Sequence, residues 1–196
     1  MKSISRVLLM VLSAAFLASC GGGGGSDREN EREEEMTKER AMKYINETED
    51  AIEMADNGEK IKKHSARLAE NLKSYANHFP EDSLTPEMLF KAANVYITID
   101  EYEKASRTLE RIRKNYGNWN KIPETIFMQG FVYDYHMGKK GKAQEYYEEL
   151  LEKYPDHVFA KDAEASLRNL GKSDLELIRE FEEKRKSEEQ ENREAS

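Results

Sequence analysis

Two stretches of the sequence carry the same pattern, Phe90–Tyr96 (FKAANVY) and Phe127–Tyr133 (FMQGFVY). Each places a small residue, Ala93 or Gly130, three positions before its final tyrosine. In each copy a second small residue follows, with a bulky residue four positions after it; these pairs are Ala105 with Leu109 and Ala143 with Tyr147. Residues three and four apart share one face of a helix. Each copy is therefore predicted to fold as two helices in contact.

The spacing of the two copies defines a repeat length. Tyr133 follows Tyr96 by 37 positions, and the second small residues are 38 apart. The pattern resembles the tetratricopeptide repeat, a helical hairpin with a period of about 34 residues. The extra length falls in the loop 117–122 and around residues 137–142. The resemblance covers residues 60–182 and implies an all-α fold, a short right-handed α-solenoid of about four helical hairpins.

Helical spacing continues on both sides of these copies. The apolar residues of 41–55 and of 61–79 form two stripes, which end at Asn57-Gly58 and at Pro80. They predict a first hairpin, a divergent repeat. The segment 159–181 predicts a last hairpin whose polar outer face suits a terminal cap. No stretch alternates with period two for long enough to predict a strand.

Several helix starts are predicted from capping residues. Thr85, Asp100 and Asp156 are predicted as the N-caps of the third, fourth and seventh helices, because their side chains can accept from free backbone N–H groups. Ser173 and Glu176 form a capping box that opens the eighth.

The eighth helix is predicted to be buried on one side only. Its predicted buried residues are Leu177, Ile178 and Phe181. Beyond Glu182 the sequence is nearly all charged, so the helical domain is predicted to span 36–182 and residues 183–196 to form a disordered tail.

The N-terminus has the features of a secretory signal. Two basic residues precede the apolar run 7–17, which is shorter than the 20 or so residues that span a bilayer. The sequence LASC that ends at Cys20 resembles the bacterial lipobox, in which cleavage leaves the cysteine first and lipid is attached to its sulfur. The alternative, a buried N-terminal helix, is disfavoured by the glycines that follow. A lipoprotein signal peptide over 1–19 and lipidation of Cys20, with palmitate among its acyl chains, are therefore predicted.

Residues 20–35 are predicted to be a flexible tether. Five glycines after Cys20 lead into an acidic segment without apolar periodicity. Cys20 is the single cysteine, which excludes an intrachain disulfide and any metal site that needs two cysteines. The net charge of −8 argues against nucleic acid as a partner and against electrostatic attachment to anionic lipid.

The resemblance also implies a binding surface. In tetratricopeptide arrays the first helix of each hairpin lines a concave groove that binds partners. The positions to which it carries that role are Glu87, Phe90, Asn94, Ile97, Glu124, Phe127, Phe131 and Asp134. Phenylalanines on this face predict a groove for an apolar peptide segment or a partner helix. The alternative is that Phe90, Phe127 and Phe131 are packed in the core.

Other side chains give weaker signals. Trp119, in a polar loop, is interpreted either as an exposed contact anchor or as a lid on the hairpin junction. The four histidines are scattered without metal-ligand spacing, so no metal is predicted. No nucleophile motif or phosphate-binding glycine loop is found, so no catalytic residue, cofactor or enzymatic activity is predicted.

These observations lead to one functional hypothesis and one alternative. The first is a membrane-anchored adaptor lipoprotein that binds a peptide or helix of another envelope protein, in outer-membrane assembly or envelope coordination. Its predicted location is the bacterial cell envelope, in the outer membrane facing the periplasm, with surface exposure as the other topology. The alternative is a structural module that forms homo-oligomers without a separate ligand.

Overall fold

The computed structural model describes residues 35–194, apart from the side chains of Asp174 and Glu194. The predicted signal peptide, the predicted lipidation site Cys20 and the predicted tether as far as residue 34 lie outside the described residues. Every regular element of 35–194 is helical, and no strand occurs there. The helices are α1 (Lys38–Glu53), α2 (Gly58–His78), α3 (Thr85–Thr98), α4 (Tyr102–Asn115), α5 (Ile122–Phe131), α6 (Lys140–Lys153), α7 (Ala160–Asn169) and α8 (Asp174–Glu194).

Each helix from α1 to α6 packs on the next, which gives a stack of helical hairpins. One apolar core joins α1 to α4 and includes Leu72, Tyr75 and Tyr96. A second joins the later helices around Tyr147 and Leu150. The predicted all-α fold of stacked hairpins is confirmed.

Three junctions between hairpins have the same hydrogen bonds. After α4, the Trp119 N–H donates to the Tyr116 carbonyl (2.8 Å) and the Ile122 N–H donates to the Trp119 carbonyl (3.1 Å). The same two bonds follow α2 and α6; their residues are Phe79, Asp82 and Thr85 in the first case and Tyr154, His157 and Ala160 in the second. The α1–α2 pair thus ends as the two later pairs do, which makes it a hairpin of the same array.

A π-helical turn accommodates the extra residue of the second copy. α5 continues directly into this turn, Val132–His136. In the α3–α4 hairpin the Tyr96 carbonyl accepts from the N–H five residues on (2.8 Å), whereas the Tyr133 carbonyl accepts from the N–H six residues on (2.8 Å). A π-turn is how a helix absorbs a single insertion. The insertion therefore lies within 132–136, and its predicted place at 137–142 is wrong.

The three predicted N-caps are also wrong. Thr85 is the first residue of α3, and its buried hydroxyl donates to the Phe79 carbonyl (2.5 Å). Asp100 has φ of +67° and occupies the left-handed position after α3, where Gly138 (φ +62°) stands after the π-turn. Asp156 precedes the start of α7 by four residues. In each case the junction or turn, not the following helix, determines the conformation.

The capping box of α8 is confirmed, but the predicted burial of that helix is wrong. The Ser173 N–H donates to the Glu176 carboxylate (2.7 Å), and the Glu176 N–H donates to the Ser173 hydroxyl (3.4 Å). Ile178 and Phe181 are 55% and 70% exposed, and Leu177 is half-buried. The ten-residue α7 packs against α6, and its buried residues are Ala160 and Ala163 near its start, so α8 follows the part of α7 that is less buried.

α8 also continues through the segment predicted to be a disordered tail. It extends to Glu194 rather than fraying beyond residue 182. Ion pairs four residues apart, Lys184 with Glu188 and Arg185 with Glu189 (3.9 Å each), support the added turns. Among the described helices, none combines the length and the apolar content that crossing a bilayer requires.

Candidate protein-binding groove

The predicted groove residues at the start of α3 contact the junction that leads to α5. The Phe90 ring meets Trp119 edge to face, with centroids 5.6 Å apart. Lys121 donates to the Glu87 carboxylate (2.8 Å), and its Nζ lies 5.9 Å from the Phe90 centroid. Trp119 is half-buried against the core, so it acts as the lid on the junction.

Farther along α3, the two remaining predicted residues are engaged locally. The Asn94 amide donates to the Phe90 carbonyl (3.0 Å), one turn before it in the same helix. Ile97 is half-buried and packs against the core of the first hairpins.

On α5, Phe127 is covered by the junction before α7. Its ring stacks on Phe159 with centroids 4.8 Å apart and lies 5.8 Å from the Tyr147 ring. Glu124, one turn earlier, faces His157 of the same junction at 3.7 Å. The Glu124 Oε2 atom is buried without a hydrogen bond in the described part of the chain.

The π-turn presents an aromatic surface. Phe131 stacks on Tyr135 (4.9 Å) and meets His136 edge to face (5.3 Å). His136 in turn stacks on Tyr102 at the start of α4 (4.3 Å). Tyr135 is 65% exposed, so this group of four rings, called here the aromatic patch, reaches the solvent.

Asp134 is not available as a groove residue. It is buried, and Lys140 donates to its carboxylate (2.5 Å). A buried carboxylate needs such a partner, and this one ties the π-turn to the start of α6.

Phe90, Phe127 and Phe131 therefore combine both readings of the sequence. Phe90 and Phe127 pack against the core, Phe131 packs against the other rings of the aromatic patch, and all three remain half-buried. The eight predicted positions therefore do not form one continuous groove but lie at separate places along α3, α5 and the π-turn.

A polar network holds α4, α5 and α6 together behind this surface. Arg113 donates to Glu149 (2.5 Å) and to the buried Gln129 (2.9 Å). Burial by itself would raise the pKa of Glu149, but the hydrogen bond from Lys153 and the charge of Arg113 outweigh it and hold that pKa below its ordinary value. The network fixes α5 relative to its neighbours.

Sequence reasoning missed Tyr135, Phe159 and Lys121 as members of these clusters. Tyr135 lies four residues after Phe131, so helical spacing could have placed it beside that ring. Phe159 and Lys121 lie in the junctions, and aligning these at the repeat length would have found them. In residues 35–194, no group of three or more His, Cys, Asp or Glu side chains could hold a metal ion.

A comparison with protein families agrees with this architecture. The model of the family described as Tetratricopeptide repeat matches residues 87–118 and 124–157, which contain α3–α4 and α5–α6. A solved structure, "Crystal structure of MamA", is similar at 22% identity with a TM-score of 0.44, over 80% of this chain and 93% of that one. No curated protein matches the sequence. The two matched segments, 87–118 and 124–157, are thus similar to repeats of this family, and such repeats indicate a role in binding other proteins.

Proposed function

We propose that the protein is a membrane-anchored adaptor whose first repeat helices bind a segment of another envelope protein. The observation that carries this proposal is the pair of consecutive segments that match the tetratricopeptide repeat, with half-buried Phe90 on the first helix of one and half-buried Phe127 and Phe131 on the first helix of the other. The proposed contact residues are those of α3 and α5 predicted from the sequence, joined by Tyr135 of the aromatic patch. The role is binding, with no catalytic step.

The charges around these rings favour an apolar partner segment. Glu87 is paired with Lys121, and Asp134 is paired with Lys140. Paired charges leave the rings as the groups that still gain from burial, at about 25 cal/mol per Å² of apolar surface covered. An extended or helical segment with apolar side chains at regular spacing fits this surface.

Photocrosslinking in intact cells tests the surface. A photoreactive residue is placed at Asn94 or Tyr135, on the proposed surface, and at Glu110 or Glu148, which are exposed on the second helices of the same hairpins. The first pair should yield a common crosslinked protein and the second pair should not. Crosslinks to that protein from Glu110 and Glu148 alone would overturn the assignment.

A substitution then tests the aromatic patch. Phe131→Glu should abolish the crosslink from Asn94, because a carboxylate replaces the ring that the partner covers. Phe131→Leu serves as the matched control, since it keeps an apolar side chain. Circular dichroism should show that both variants keep their helical content.

The anchor is proposed from the sequence LASC at Cys20, together with the tether that follows. Two or more acyl chains on one cysteine would hold the protein at the membrane, whereas a single chain binds weakly. Labelled palmitate should enter the protein in living cells, and Cys20→Ser should lose the label and release the protein from the membrane fraction. Separation of the two membranes should place the native form in the outer membrane.

A second candidate function, self-association, is favoured by α8. Leu175, Ile178 and Phe181 expose 75%, 55% and 70% of their surface on one side of this helix. Sedimentation of the full chain with Cys20→Ser distinguishes the two candidates. A monomer at micromolar concentration sets self-association aside, whereas a dimer that Phe181→Glu dissociates supports it.

A further inference from the structure

A cavity between α2 and α4 is lined mainly by basic side chains. Its volume is about 290 Å³, and it lies apart from the groove proposed above on α3 and α5. The residues that line it are Lys73, Leu89, Lys104, Arg107, Thr108 and Arg111. Four cations around one cavity are unexpected in a chain of net charge −8.

The two lysines have carboxylate partners. Lys73 lies 3.2 Å from Glu70, and Lys104 lies 3.4 Å from Glu101. Both ammonium groups also lie 5.6 Å from the centroid of the Tyr96 ring, so the two lysines are held near the same side chain.

The two arginines are not neutralised. Arg111 donates to the Asn77 side chain (2.7 Å) and to the Ala76 carbonyl (3.0 Å), which are neutral acceptors. Those bonds fix the direction of the guanidinium without cancelling its charge. Arg107 is exposed, and within the described residues it makes no hydrogen bond or ion pair. The cavity therefore keeps a positive charge with part of its donor set already oriented.

The next groove of the array provides an internal comparison. One repeat later, between α4 and α6, the position of Arg111 is taken by Glu149 and the position of Ala76 by Arg113. There the two residues form an ion pair at 2.5 Å. The arginine between α4 and α6 is thus neutralised by a glutamate of the same array. The guanidinium groups of the α2–α4 cavity are left unpaired.

We propose that the α2–α4 cavity binds a compact anion that carries a phosphate group. Guanidinium groups match phosphate oxygens with paired hydrogen bonds, and ammonium groups add charge without directional demands. The volume suits an inorganic phosphate or the phosphate of a lipid headgroup, and it is too small for a peptide helix. The four basic residues would hold the ligand, with Arg111 as the preoriented donor.

Calorimetry on the full chain with Cys20→Ser tests the site. One arm titrates inorganic phosphate at constant ionic strength. The other titrates phosphatidylcholine vesicles that contain phosphatidic acid, with vesicles of phosphatidylcholine alone subtracted. Arg107→Gln and Arg111→Gln are compared with Lys114→Gln, which removes the same charge from an exposed position of the same helix.

Each arginine variant should weaken binding about tenfold, the effect of losing one charge-assisted hydrogen bond. Lys114→Gln should change affinity less than twofold, about the effect of one distant charge. Loss in the phosphate arm identifies a free anion, and loss in the vesicle arm alone identifies a headgroup. No saturable binding in either arm, or an equal loss with Lys114→Gln, would overturn the proposal. Arg107 is exposed and unpaired, so its variant keeps the test valid if Arg111→Gln unfolds the chain.

Discussion

At the residue scale, the approach of α5 to α6 depends on Gly130. A Cβ built at this position would lie 2.6 Å from the ring of Tyr147, which is fully buried. The small residue of the repeat pattern is therefore required by a ring on the facing helix.

Gly130→Ala should destabilise the protein by about 1–3 kcal/mol, because the added methyl group overpacks the α5–α6 contact. Urea unfolding followed by circular dichroism measures the change. The control is Gly141→Ala in α6, where an added Cβ meets nothing within 4 Å. That variant should gain up to about 1 kcal/mol from helix propensity. Equal effects at the two glycines would contradict the packing account.

Glu149 gives the stability a dependence on pH. Its pKa is lowered below the ordinary 4.5 in the folded state, so its contribution is present above pH 4.5 and is lost as the pH falls through the folded pKa. Glu149→Gln should cost about 2 kcal/mol at pH 7, since the partly buried Arg113 loses its charged partner. The difference between native and variant in urea unfolding should shrink below pH 4.5. A difference that stays constant down to pH 3 would contradict this assignment.

At the element scale, the π-turn lets the second copy hold one more residue without changing how its two helices pack. It takes up one residue between Tyr133 and Gly138, so α6 meets α5 much as α4 meets α3. The insertion also turns Tyr135 outward and brings His136 onto Tyr102. The aromatic patch is thus a product of the added residue.

Deleting Tyr135 should convert the π-turn to ordinary helix and leave the protein folded. The expected loss is about 1 kcal/mol, the value of its stacking on Phe131. Deletion of Thr98 from α3, which contains no inserted residue, should destabilise the protein considerably more. Thermal unfolding measures the loss of stability in both variants. Equal losses would show that the π-turn does not accommodate an extra residue.

Local patterns predicted the helices well and their starts poorly. The small residues Ala93 and Gly130 identified the contacting pairs because both positions are buried, and at Gly130 the Tyr147 ring leaves no room for a Cβ. Thr85 and Asp156 misled because a capping residue in a junction can bond to that junction instead. The hydrogen bonds that fix the junctions join backbone atoms, so the side chains of the junction residues give little indication of them.

The groove was predictable in outline only. Helical spacing placed Phe90, Phe127 and Phe131 on the first helices, but their exposure depends on partners from distant loops. Trp119 and Phe159 cover two of these rings. Such contacts depend on how one hairpin sits on the next, which a single sequence does not encode locally.

At the scale of the whole molecule, stability should reside in α1–α7. α8 exposes most of its apolar residues and packs little against the other helices. Ending the chain after Lys172 should therefore change the free energy of unfolding by less than about 0.5 kcal/mol. Ending it after Asp156 removes α7 and should cost several times more, because Phe127 and Tyr147 lose their cover. Calorimetric unfolding of the two truncations is the measurement, and a large loss from the first would show that α8 packs on the body.

The three matching junctions have a consequence for how such a chain can change in length. Cutting at equivalent points of two successive junctions frees a segment whose ends have the same backbone geometry. Such a segment could be excised or duplicated, and the hairpins on either side of it would join with the same backbone geometry as before. Growth of the array by copying whole hairpins needs no new loop to evolve.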